Sequence, residues 1–337
     1  METKGGAGGV GVTMRDIGKR IGVSAVTVSK ALAGKPGVSE EMRQKIVALA
    51  NDLGYVNPNS GPDKRGLDVG ILIPDHFFSP DSYYAMLCKE LVQNLTEAGH
   101  FGLRELYTRD MQRDMLLPNL LRSRRVDALV LLGQPEQAYA GLLTKQPLPV
   151  ICMDFGDAGL CADAVVGDST GGMAALTWHL IEQGHRDIAF FGAVQATSSI
   201  MERYLGYVSA MLTAGLPIRA EYLLPDRDAQ GELLPLTLPD NRPTALVCNC
   251  DWAARWAIGQ LKQQGLRVPE DISVVGFDDF TYTPVEAPAL TTYRVNREAM
   301  CASVVRLLEE RCAGEERPAC RITVGGECIY RDSVLPR

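Results

Sequence analysis

The chain has 337 residues, 46% of them hydrophobic, and a formal net charge of −7. This length exceeds one ordinary domain, and the acidic total argues against a protein that binds nucleic acid over its whole surface. The nine cysteines are scattered without a C-x-x-C pair, which predicts reduced thiols in the cytoplasm. The four histidines show no metal-ligand spacing, so no metal or cofactor is expected. No apolar run approaches the ~20 residues of a membrane span.

Positive charge is concentrated near the N-terminus. Residues 1–57 contain eight Lys and Arg against five Asp and Glu, a net charge of +3, so the remainder carries −10. A basic N-terminal segment in an otherwise acidic chain is consistent with phosphate contacts made by that segment alone. The glycine-rich residues 1–12 lack the hydrophobic core of a signal peptide and are predicted to form a flexible tail.

Residues 13–32, TMRDIGKRIGVSAVTVSKAL, predict two short helices joined by a tight turn. The first helix runs from Met14 to Ile21 on its apolar spacing. Gly22 ends it, because glycine readily adopts the left-handed conformation that a sharp turn requires. Any helical hairpin gives a similar pattern, so this segment alone leaves that alternative open.

The second helix, residues 25–32, has the composition of a helix that reads DNA. Ser24 is expected to cap it, and Val28 and Leu32 are expected to be buried. Small side chains let its backbone approach base edges, and hydroxyl and amino groups reach bases or phosphates. The outward-facing residues are predicted to be Ala25, Val26, Thr27, Ser29 and Lys30.

Further along the chain, apolar runs alternate with amphipathic helical patterns. The runs are LDVGILIP, GLRELY, VDALVLLG, LPVICMDF, DIAFFG, TALVCNC and ISVVGF. Repeated strand–helix units predict an α/β fold with two parallel sheets of about five or six strands each. One helix, within residues 81–99, is predicted to bury a single face made of Tyr84, Leu87, Cys88, Leu91 and Leu95.

Acidic residues follow three of these predicted strands. Asp154, Asp251 and Asp278 each come directly after an apolar run. Ligands of parallel sheets bind at the carboxyl ends of strands, where carboxylates can hydrogen-bond a hydroxylated ligand. Arg203, near the start of a predicted helix, can clamp a carboxylate, a phosphate or a diol. Each of these residues also has an ordinary structural explanation. An Asp after a strand can form a turn or cap a helix, and Arg203 can lie on the surface.

Several segments resemble the lactose-repressor (LacI/GalR) family of transcription regulators. TMRDIGKRIGVSAVTVSKAL and KPGVSEEMRQKIVALANDLGYVNPN are similar to its helix-turn-helix headpiece. VICMDF, HLIEQGHRDIAFFG, RYLGY, GLRVPEDISVVGFDD, PALTTYRV and YRDSV resemble its periplasmic-binding-protein-like (type I) core. These motifs follow the family's order over nearly the whole chain.

The resemblance implies an all-α headpiece at residues 13–57, a hinge at 58–67 and a bilobed α/β core at 68–337. The chain is expected to cross between the lobes near residues 165–168, 291–294 and 321–324. The resulting lobe boundaries are about 68–165 and 294–321 for the first lobe, and 166–293 and 322–337 for the second.

The resemblance also implies an effector pocket between the lobes. Asp154, Arg203 and Asp278 match the family's strand-ending M-D, its helical R-x-x-G and its G-[FY]-D, which line that pocket. An aromatic residue at the start of the first core helix often stacks on the ligand in this family. Tyr83 or Tyr84 is expected to take that role here.

One position of the expected pocket departs from the family. Cys250 and Asp251 stand where the family commonly has Asn-Asp, and a thiol is a weaker hydrogen-bonding group than an amide. Asn249 is a possible substitute, although strand alternation turns it away. Phe155 and Trp252 either stack on a sugar ring or pack against the hinge.

The stretch between headpiece and core, NPNSGPDKRGLDVG, is shorter than the family's hinge helix. Gly61, Pro62 and Gly66 replace helix formers, at ~1 kcal/mol for Gly and ~3 kcal/mol for Pro relative to Ala. Lys64 and Arg65 are expected to contact phosphate or to enter the minor groove as an extended arm. We therefore expect weaker kinking of DNA and weaker ligand control.

No enzyme is expected, because the chain has no recognisable catalytic triad, Walker motif or dinucleotide-binding motif. A solute-binding protein with a chance helical pair, and a ligand sensor that has lost operator binding, are the alternatives. We predict a dimeric, cytoplasmic regulator, most simply a repressor, that binds an inverted-repeat operator and responds to a sugar or sugar derivative. Purines, phosphorylated sugars and a partner protein stay open as effectors. The expected DNA contacts are Thr13, Ser24, Ala25, Val26, Thr27, Ser29, Lys30, Lys64 and Arg65.

Overall fold

The computed structural model describes residues 13–32, 37–53, 66–157, 159–228, 230–280 and 288–337. The chain divides into two compact units, Met1–Arg65 and Gly66–Arg337. Within the described ranges, no helix has both the length and the apolar character needed to span a bilayer.

The first unit contains three helices, α1 (Met14–Ile21), α2 (Ala25–Leu32) and α3 (Glu40–Asp52). α1 begins at a capping box, in which Thr13 Oγ1 accepts from Asp16 N (3.3 Å) and the Asp16 carboxylate accepts from Thr13 N (2.9 Å). Gly22 ends α1 in the left-handed conformation, with φ of +83°. Ser24 Oγ accepts from Thr27 N at 3.1 Å, as expected for the cap of α2. Both helices have the predicted bounds.

A small apolar core holds these three helices together. Its buried side chains are Ile17, Val28, Ala31, Ile46 and Ala50. Leu32, predicted to be buried, is only half-buried, because Val28 and Ala31 form the part of α2 that faces the core. The outward face of α2 is also narrower than predicted. Val26 is 66% exposed and Lys30 is exposed, whereas Ala25, Thr27 and Ser29 are half-buried.

The second unit alternates helices and strands. Its helices are α4 (Tyr83–Glu97), α5 (Arg109–Arg113), α6 (Asn119–Arg122), α7 (Gln137–Thr144), α8 (Ser169–Glu182), α9 (Ser198–Thr213), α10 (Asp251–Gln263) and α11 (Arg297–Cys312). Its strands are β1 (Asp68–Pro74), β2 (Phe101–Tyr107), β3 (Ala128–Leu132), β4 (Val150–Met153), β5 (Asp163–Gly167), β6 (Ile188–Phe191), β7 (Leu223–Leu224), β8 (Ala245–Cys248), β9 (Ser273–Val275), β10 (Thr292–Val295), β11 (Arg321–Val324) and β12 (Gly326–Ile329). Each predicted apolar run contains a strand.

Two parallel sheets form the two lobes of this unit, as the fold prediction requires. The first sheet has the order β11-β5-β4-β3-β1-β2, and the second has the order β7-β6-β8-β9. The second sheet has four strands rather than five or six, because Thr291 makes only an isolated bridge to Val275 at its edge. β10 and β12 form a separate antiparallel pair.

The first sheet includes β11 along its whole length. Arg321 pairs with Ala164, and Val324 pairs with Gly167. The crossing into the second lobe, predicted near residues 321–324, therefore lies after Val324, and residues 322–324 belong to the first lobe. The sequence carried no sign of this pairing, because the side chains of β11 alternate between exposed and half-buried and form no apolar run.

α4 packs one apolar face against the first sheet. The buried members predicted correctly are Leu87, Cys88, Leu91 and Leu95. Tyr83, rather than Tyr84, completes that face, and Tyr84 is half-buried. The first turn of α4 therefore presents two tyrosines in different directions at the end of the sheet.

A buried carboxylate fixes α11 to the first sheet. Asp163, the first residue of β5, accepts from Arg311 Nε (2.7 Å), Arg317 Nη1 (3.0 Å) and Cys320 N (2.7 Å). Burial alone would raise the pKa of Asp163, but these donors outweigh it and lower the pKa to about 2. The ionised carboxylate thus joins β5, α11 and the start of β11.

Candidate functional site

A cavity of about 360 Å³ lies at the carboxyl ends of parallel strands from both sheets. Binding sites of parallel sheets are expected at this position. Seven of the nine predicted effector residues line it: Tyr83, Tyr84, Asp154, Arg203, Cys250, Trp252 and Asp278. Asn249, considered from the sequence as a possible substitute, also lines it. The sequence did not single out the other lining residues: His76, Phe77, Phe78, Ser79, Ser82, Thr197, Ser199, Ile200, Arg227 and Leu233.

Two of the lining carboxylates stand on strained backbone. The φ angle is +68° at Asp154 and +108° at Asp278, where side-chain-bearing residues are rare. Neighbouring strands hold both turns, since Asp154 N donates to Val165 O and Asp278 N donates to Tyr293 O, each at 2.9 Å. Strain of this kind costs ~1–3 kcal/mol per residue and clusters at functional sites.

Aromatic rings form the first-lobe wall of the cavity. Phe77 and Tyr84 are stacked with ring centroids 5.1 Å apart, and Tyr83 meets Tyr84 edge-on at 5.7 Å. Tyr84 Oη donates to Asp154 Oδ2 at 2.8 Å, which joins two of the predicted residues. The sequence signal for Phe77 was present in IPDHFF, where aromatic residues follow the carboxyl end of β1.

Arg203 is the buried cation at the centre of the second-lobe wall. Its Nη1 donates to Asn249 O (2.7 Å), its Nη2 donates to Asp278 Oδ1 (3.2 Å), and its guanidinium lies 4.0 Å from the ring centroid of Phe277. Within the described ranges, Arg203 Nε and Tyr83 Oη are buried without a hydrogen-bond partner. Both belong to residues that line the cavity, and neither donor is satisfied by the protein.

The carboxyl groups of the cavity hold protons more tightly than usual. Burial raises the pKa of Asp154, although Arg203 and the Tyr84 hydroxyl oppose that change. Burial raises the pKa of Asp278 to about 7; Arg203 opposes this rise, and the charge of Asp154 adds to it. At neutral pH the pair of carboxyls therefore carries less than its full negative charge.

Asp278 is expected to make folding stability depend on pH. Its pKa rises from 3.8 to about 7 on folding, so the folded protein binds an extra proton between these values and stability falls as pH increases through that window. Asp278→Asn should remove a pH-dependent contribution on the order of a few kcal/mol. Urea unfolding of both proteins between about pH 4 and pH 8 measures the difference. Parallel stability profiles would contradict the expectation.

A second guanidinium lies on the same wall. Arg227 donates from Nε (3.1 Å) and Nη2 (2.7 Å) to Oδ2 of Asp226, which is fully buried behind it. Asn249 Nδ2 donates to the same Asp226 oxygen at 3.0 Å. Asn249 therefore reaches the cavity lining despite strand alternation, but its amide is engaged with Asp226.

α10 begins at the cavity and supplies a less polar surface. Cys250 caps it, with Sγ accepting from Ala253 N at 3.5 Å, and burial raises the pKa of the thiol to about 12. Trp252 stacks on Trp256 with ring centroids 6.3 Å apart and 9° between the planes. The change from the family's Asn-Asp pair thus leaves a neutral thiol as the polar group at this point.

Two predicted effector residues do not line the cavity. Phe155 is buried in the first-lobe core with Tyr107 and Tyr139. Asp251 accepts from Thr292 Oγ1 (2.6 Å) and Phe280 N (2.8 Å), so it ties α10 to β10. Both lie next to a lining residue in sequence, but the chain turns there, with φ of +68° at Asp154 and the start of α10 at Asp251. This corrects the prediction that they contact the effector.

Away from the connecting strands, hydrogen bonds cross between the lobes in the described part of the second unit. They are Arg109 Nη1 to Gln230 O (2.6 Å), Ser198 N to Gln134 Oε1 (2.7 Å) and Arg321 Nη2 to Glu202 Oε1 (2.5 Å). These bonds join the same two lobes that line the cavity. A change in lobe separation would break or strain them.

In the first unit, α2 presents the predicted DNA-reading side chains. Val26 and Lys30 are exposed on it, Ser24 is exposed at its cap, and Thr13 is exposed before α1. Ala25, Thr27 and Ser29 are half-buried, and Thr27 Oγ1 lies 2.9 Å from Ser24 Oγ. An exposed apolar side chain such as Val26 is suited to contact a thymine methyl group. The other predicted DNA contacts, Lys64 and Arg65, lie outside the described residues.

Two protein-family models match successive parts of the chain. The model for bacterial regulatory proteins of the lacI family matches residues 13–59. The model for a periplasmic binding protein-like domain matches residues 177–334. The first match covers the helix-turn-helix, and the second covers most of the second-lobe wall of the cavity.

Curated relatives match almost the full length of the chain. The HTH-type transcriptional repressor PurR of Pectobacterium carotovorum subsp. carotovorum (strain PC1) is 28% identical over 96% of both chains. The probable HTH-type transcriptional repressor ExuR of Bacillus subtilis (strain 168) is 29% identical over 96% of this chain and 98% of its own.

Two solved structures have a similar fold. A complex of the transcriptional regulator CelR with cellobiose has a TM-score of 0.67 and 26% identity over 96% of this chain and 99% of that one. A lac repressor dimer bound to operator and the anti-inducer ONPF has a TM-score of 0.69 and 20% identity over the same shares, 96% and 99%. Together with the two family models, these matches show that the chain belongs to the lacI family of bacterial transcriptional regulators.

Proposed function

We propose that this chain is a cytoplasmic transcriptional repressor that binds an inverted-repeat operator as a homodimer under the control of a small ligand. The observation that carries the proposal is a strained carboxylate–guanidinium cleft, Asp154, Arg203 and Asp278, in the same chain as a helix-turn-helix. Two recognition helices of a dimer would enter major grooves about 34–36 Å apart.

The ligand in this proposal is a sugar or a sugar derivative. Asp154 and Asp278 offer acceptors for hydroxyl protons, while Arg203 Nε and Tyr83 Oη offer donors. The rings of Phe77 and Tyr84 on the first lobe and of Trp252 on the second lobe suit the apolar side of a sugar ring. The cavity of about 360 Å³ is within the usual range for small-molecule sites. The cellobiose bound to CelR, a 26% identical regulator, supports the same class.

Ligand control in this proposal acts through the separation of the lobes. Tyr84 and Asp154 belong to the first lobe, whereas Arg203 and Asp278 belong to the second, so a ligand that contacts both sets favours one separation. The bonds that cross between the lobes respond to the same movement. A coupling free energy of ~1–3 kcal/mol between the ligand and DNA sites would be typical.

A second candidate function is a ligand sensor with weak operator binding, and the composition of the hinge favours it. Gly61, Pro62 and Gly66 disfavour a helix between the headpiece and the core. In the repressor proposal, Lys64 and Arg65 contact phosphate or the minor groove as an extended arm. The two candidates differ in whether the isolated protein selects an operator.

Selection of bound fragments from a random DNA pool, at one moderate salt concentration, tests the proposal. Enrichment of an inverted repeat is expected for a dimeric operator binder. Enrichment of single half-sites would mean that the headpieces act without a coupled hinge. A folded protein that enriches no sequence would contradict repression by the chain alone and would favour the sensor.

Lys30→Ala is expected to change which sequences are enriched, because Lys30 is exposed on α2 and can donate to guanine. Loss of one such base contact costs ~1–3 kcal/mol and relaxes preference at one position of each half-site. Lys45→Ala is the matched control, since Lys45 is exposed on α3 and paired with Glu41 at 2.8 Å. Lys64→Ala should instead weaken all sequences alike and reduce the salt dependence. Uniform weakening by Lys30→Ala would contradict its proposed role.

A further inference from the structure

Both guanidinium groups that line the cavity are already paired with buried carboxylates. Arg203 Nη2 lies 3.2 Å from Asp278 Oδ1, and the two side chains are 7% and 6% exposed. Arg227 Nη2 lies 2.7 Å from Asp226 Oδ2, whose side chain is fully buried. A charge-matched guanidinium still offers N–H groups to a ligand, but it no longer compensates a ligand's negative charge.

Asp226 differs from the other carboxylates because it does not line the cavity. It follows β7, and its Oδ1 accepts from Ala193 N at 2.8 Å. Its Oδ2 accepts from Arg227 and from Asn249 Nδ2. Donors to both oxygens thus hold Asp226 behind Arg227.

The carboxyl groups around the cavity outnumber its lining guanidinium groups by three to two. Three carboxylates, Asp154, Asp226 and Asp278, surround the two guanidinium groups. Burial lowers the pKa of His76, so this lining residue is neutral at neutral pH. Two more arginines lie nearby but outside the lining; Arg297 pairs with Glu90, and Arg109 donates to Gln230 O.

We propose that the cavity selects an electrically neutral, hydroxylated ligand over phosphorylated or carboxylated counterparts, and that Asp226 sets this selection by neutralising Arg227. The inference deepens the proposed function and rests on this cavity being the effector site. A neutral ligand uses the free groups, Arg203 Nε and Tyr83 Oη as donors and the cavity carboxylates as acceptors. An anion meets the charge of Asp154 and has to displace a carboxylate from Arg203 or Arg227.

Asp226→Asn tests the inference with inorganic phosphate as the probe. Asn can still accept from Ala193 N, but its amide no longer neutralises Arg227. The full-length wild-type chain is expected to give no calorimetric binding signal with millimolar phosphate. The variant is expected to bind phosphate at least about tenfold more tightly, and the double change Asp226→Asn with Arg227→Gln should abolish that gain.

Asp228→Asn is the matched control. Asp228 lies in the same segment, but its Oδ1 accepts from the backbone N–H groups of Gln230 and Glu232 rather than from a guanidinium. It should gain no affinity for phosphate. Asp226→Ser, which also keeps an acceptor and removes the charge, replaces the Asn variant if circular dichroism shows that the latter does not fold.

Several results would overturn the inference. They are phosphate binding by the wild type, a folded Asp226 variant without the gain, and an equal gain in Asp228→Asn. None of these outcomes bears on whether the chain selects an operator or releases it with a neutral sugar. Failure of the inference is therefore distinguishable from failure of the proposed function.

Discussion

Replacing Arg203 with alanine is expected to lower the free energy of unfolding of the core by ~3–5 kcal/mol at pH values well above 7, where Asp278 would be ionised, the usual cost of removing one partner from a buried ion pair. The change leaves the Asp278 carboxylate buried without its cation and leaves Asn249 O without the donor at 2.7 Å. Urea denaturation, followed by tryptophan fluorescence, measures the loss.

The loss of stability in Arg203→Ala should itself depend on pH. Below the pKa of Asp278, about 7, the carboxyl of Asp278 binds a proton and no longer needs a cation, so the variant should lose less stability in acid. Adding Asp278→Asn should recover part of the loss for the same reason. Arg113→Ala is the matched control, because Arg113 is exposed and pairs with Asp110 at 2.6 Å, so that little loss of stability is expected. Equal losses in both arginine variants would contradict the role given to Arg203.

Asp154→Asn is expected to abolish the response to the effector while operator binding without ligand stays unchanged. Asparagine tolerates the φ angle of +68° at this position and still accepts from Tyr84 Oη, so the fold should persist. The site loses a charged acceptor for the hydroxyl groups of the ligand, which costs about 1.5–3 kcal/mol of binding free energy. Thermal shift with a panel of neutral sugars identifies a ligand of the wild type, and operator release then compares the two proteins.

Asp157→Asn provides the control for this experiment. Asp157 lies in the same loop after β4, but its Oδ1 accepts from Gly159 N and it does not line the effector cavity. It should keep the full ligand response. If Asp154→Asn also loses operator binding, Asp154 supports the fold rather than the ligand. An unchanged ligand response would remove Asp154 from the effector site.

The order of helices and strands was predictable from local sequence, since caps, turn residues and apolar runs act within a few residues of the chain. Gly22 predicted the end of α1 and Ser24 predicted the start of α2, and the structure has the left-handed turn and the cap at those residues. Seven apolar runs predicted seven strands for a similar reason. β11 was missed because it is short and exposes every second side chain.

The rule that ligands bind at the carboxyl ends of parallel strands brought Asp154 and Asp278 together correctly, because those ends share one edge of each sheet. The same rule included Phe155 and Asp251, which follow strands equally closely. Whether such a residue faces the cavity depends on the backbone angles at the turn. Composition and hydrophobic periodicity do not indicate those angles.

Only the tertiary structure decided which polar groups of the second-lobe wall pair over long distances in the sequence. Arg203 and Asp278 are 75 positions apart in the sequence, and Asn249 and Asp226 are 23 apart. These partners meet because the second sheet and the helices on it bring distant strand ends to one wall. The sequence by itself therefore determined the elements and the edge at which a ligand binds. Packing between those elements decided the charge of the site, because electrostatic pairing depends on distance in space rather than on distance along the chain.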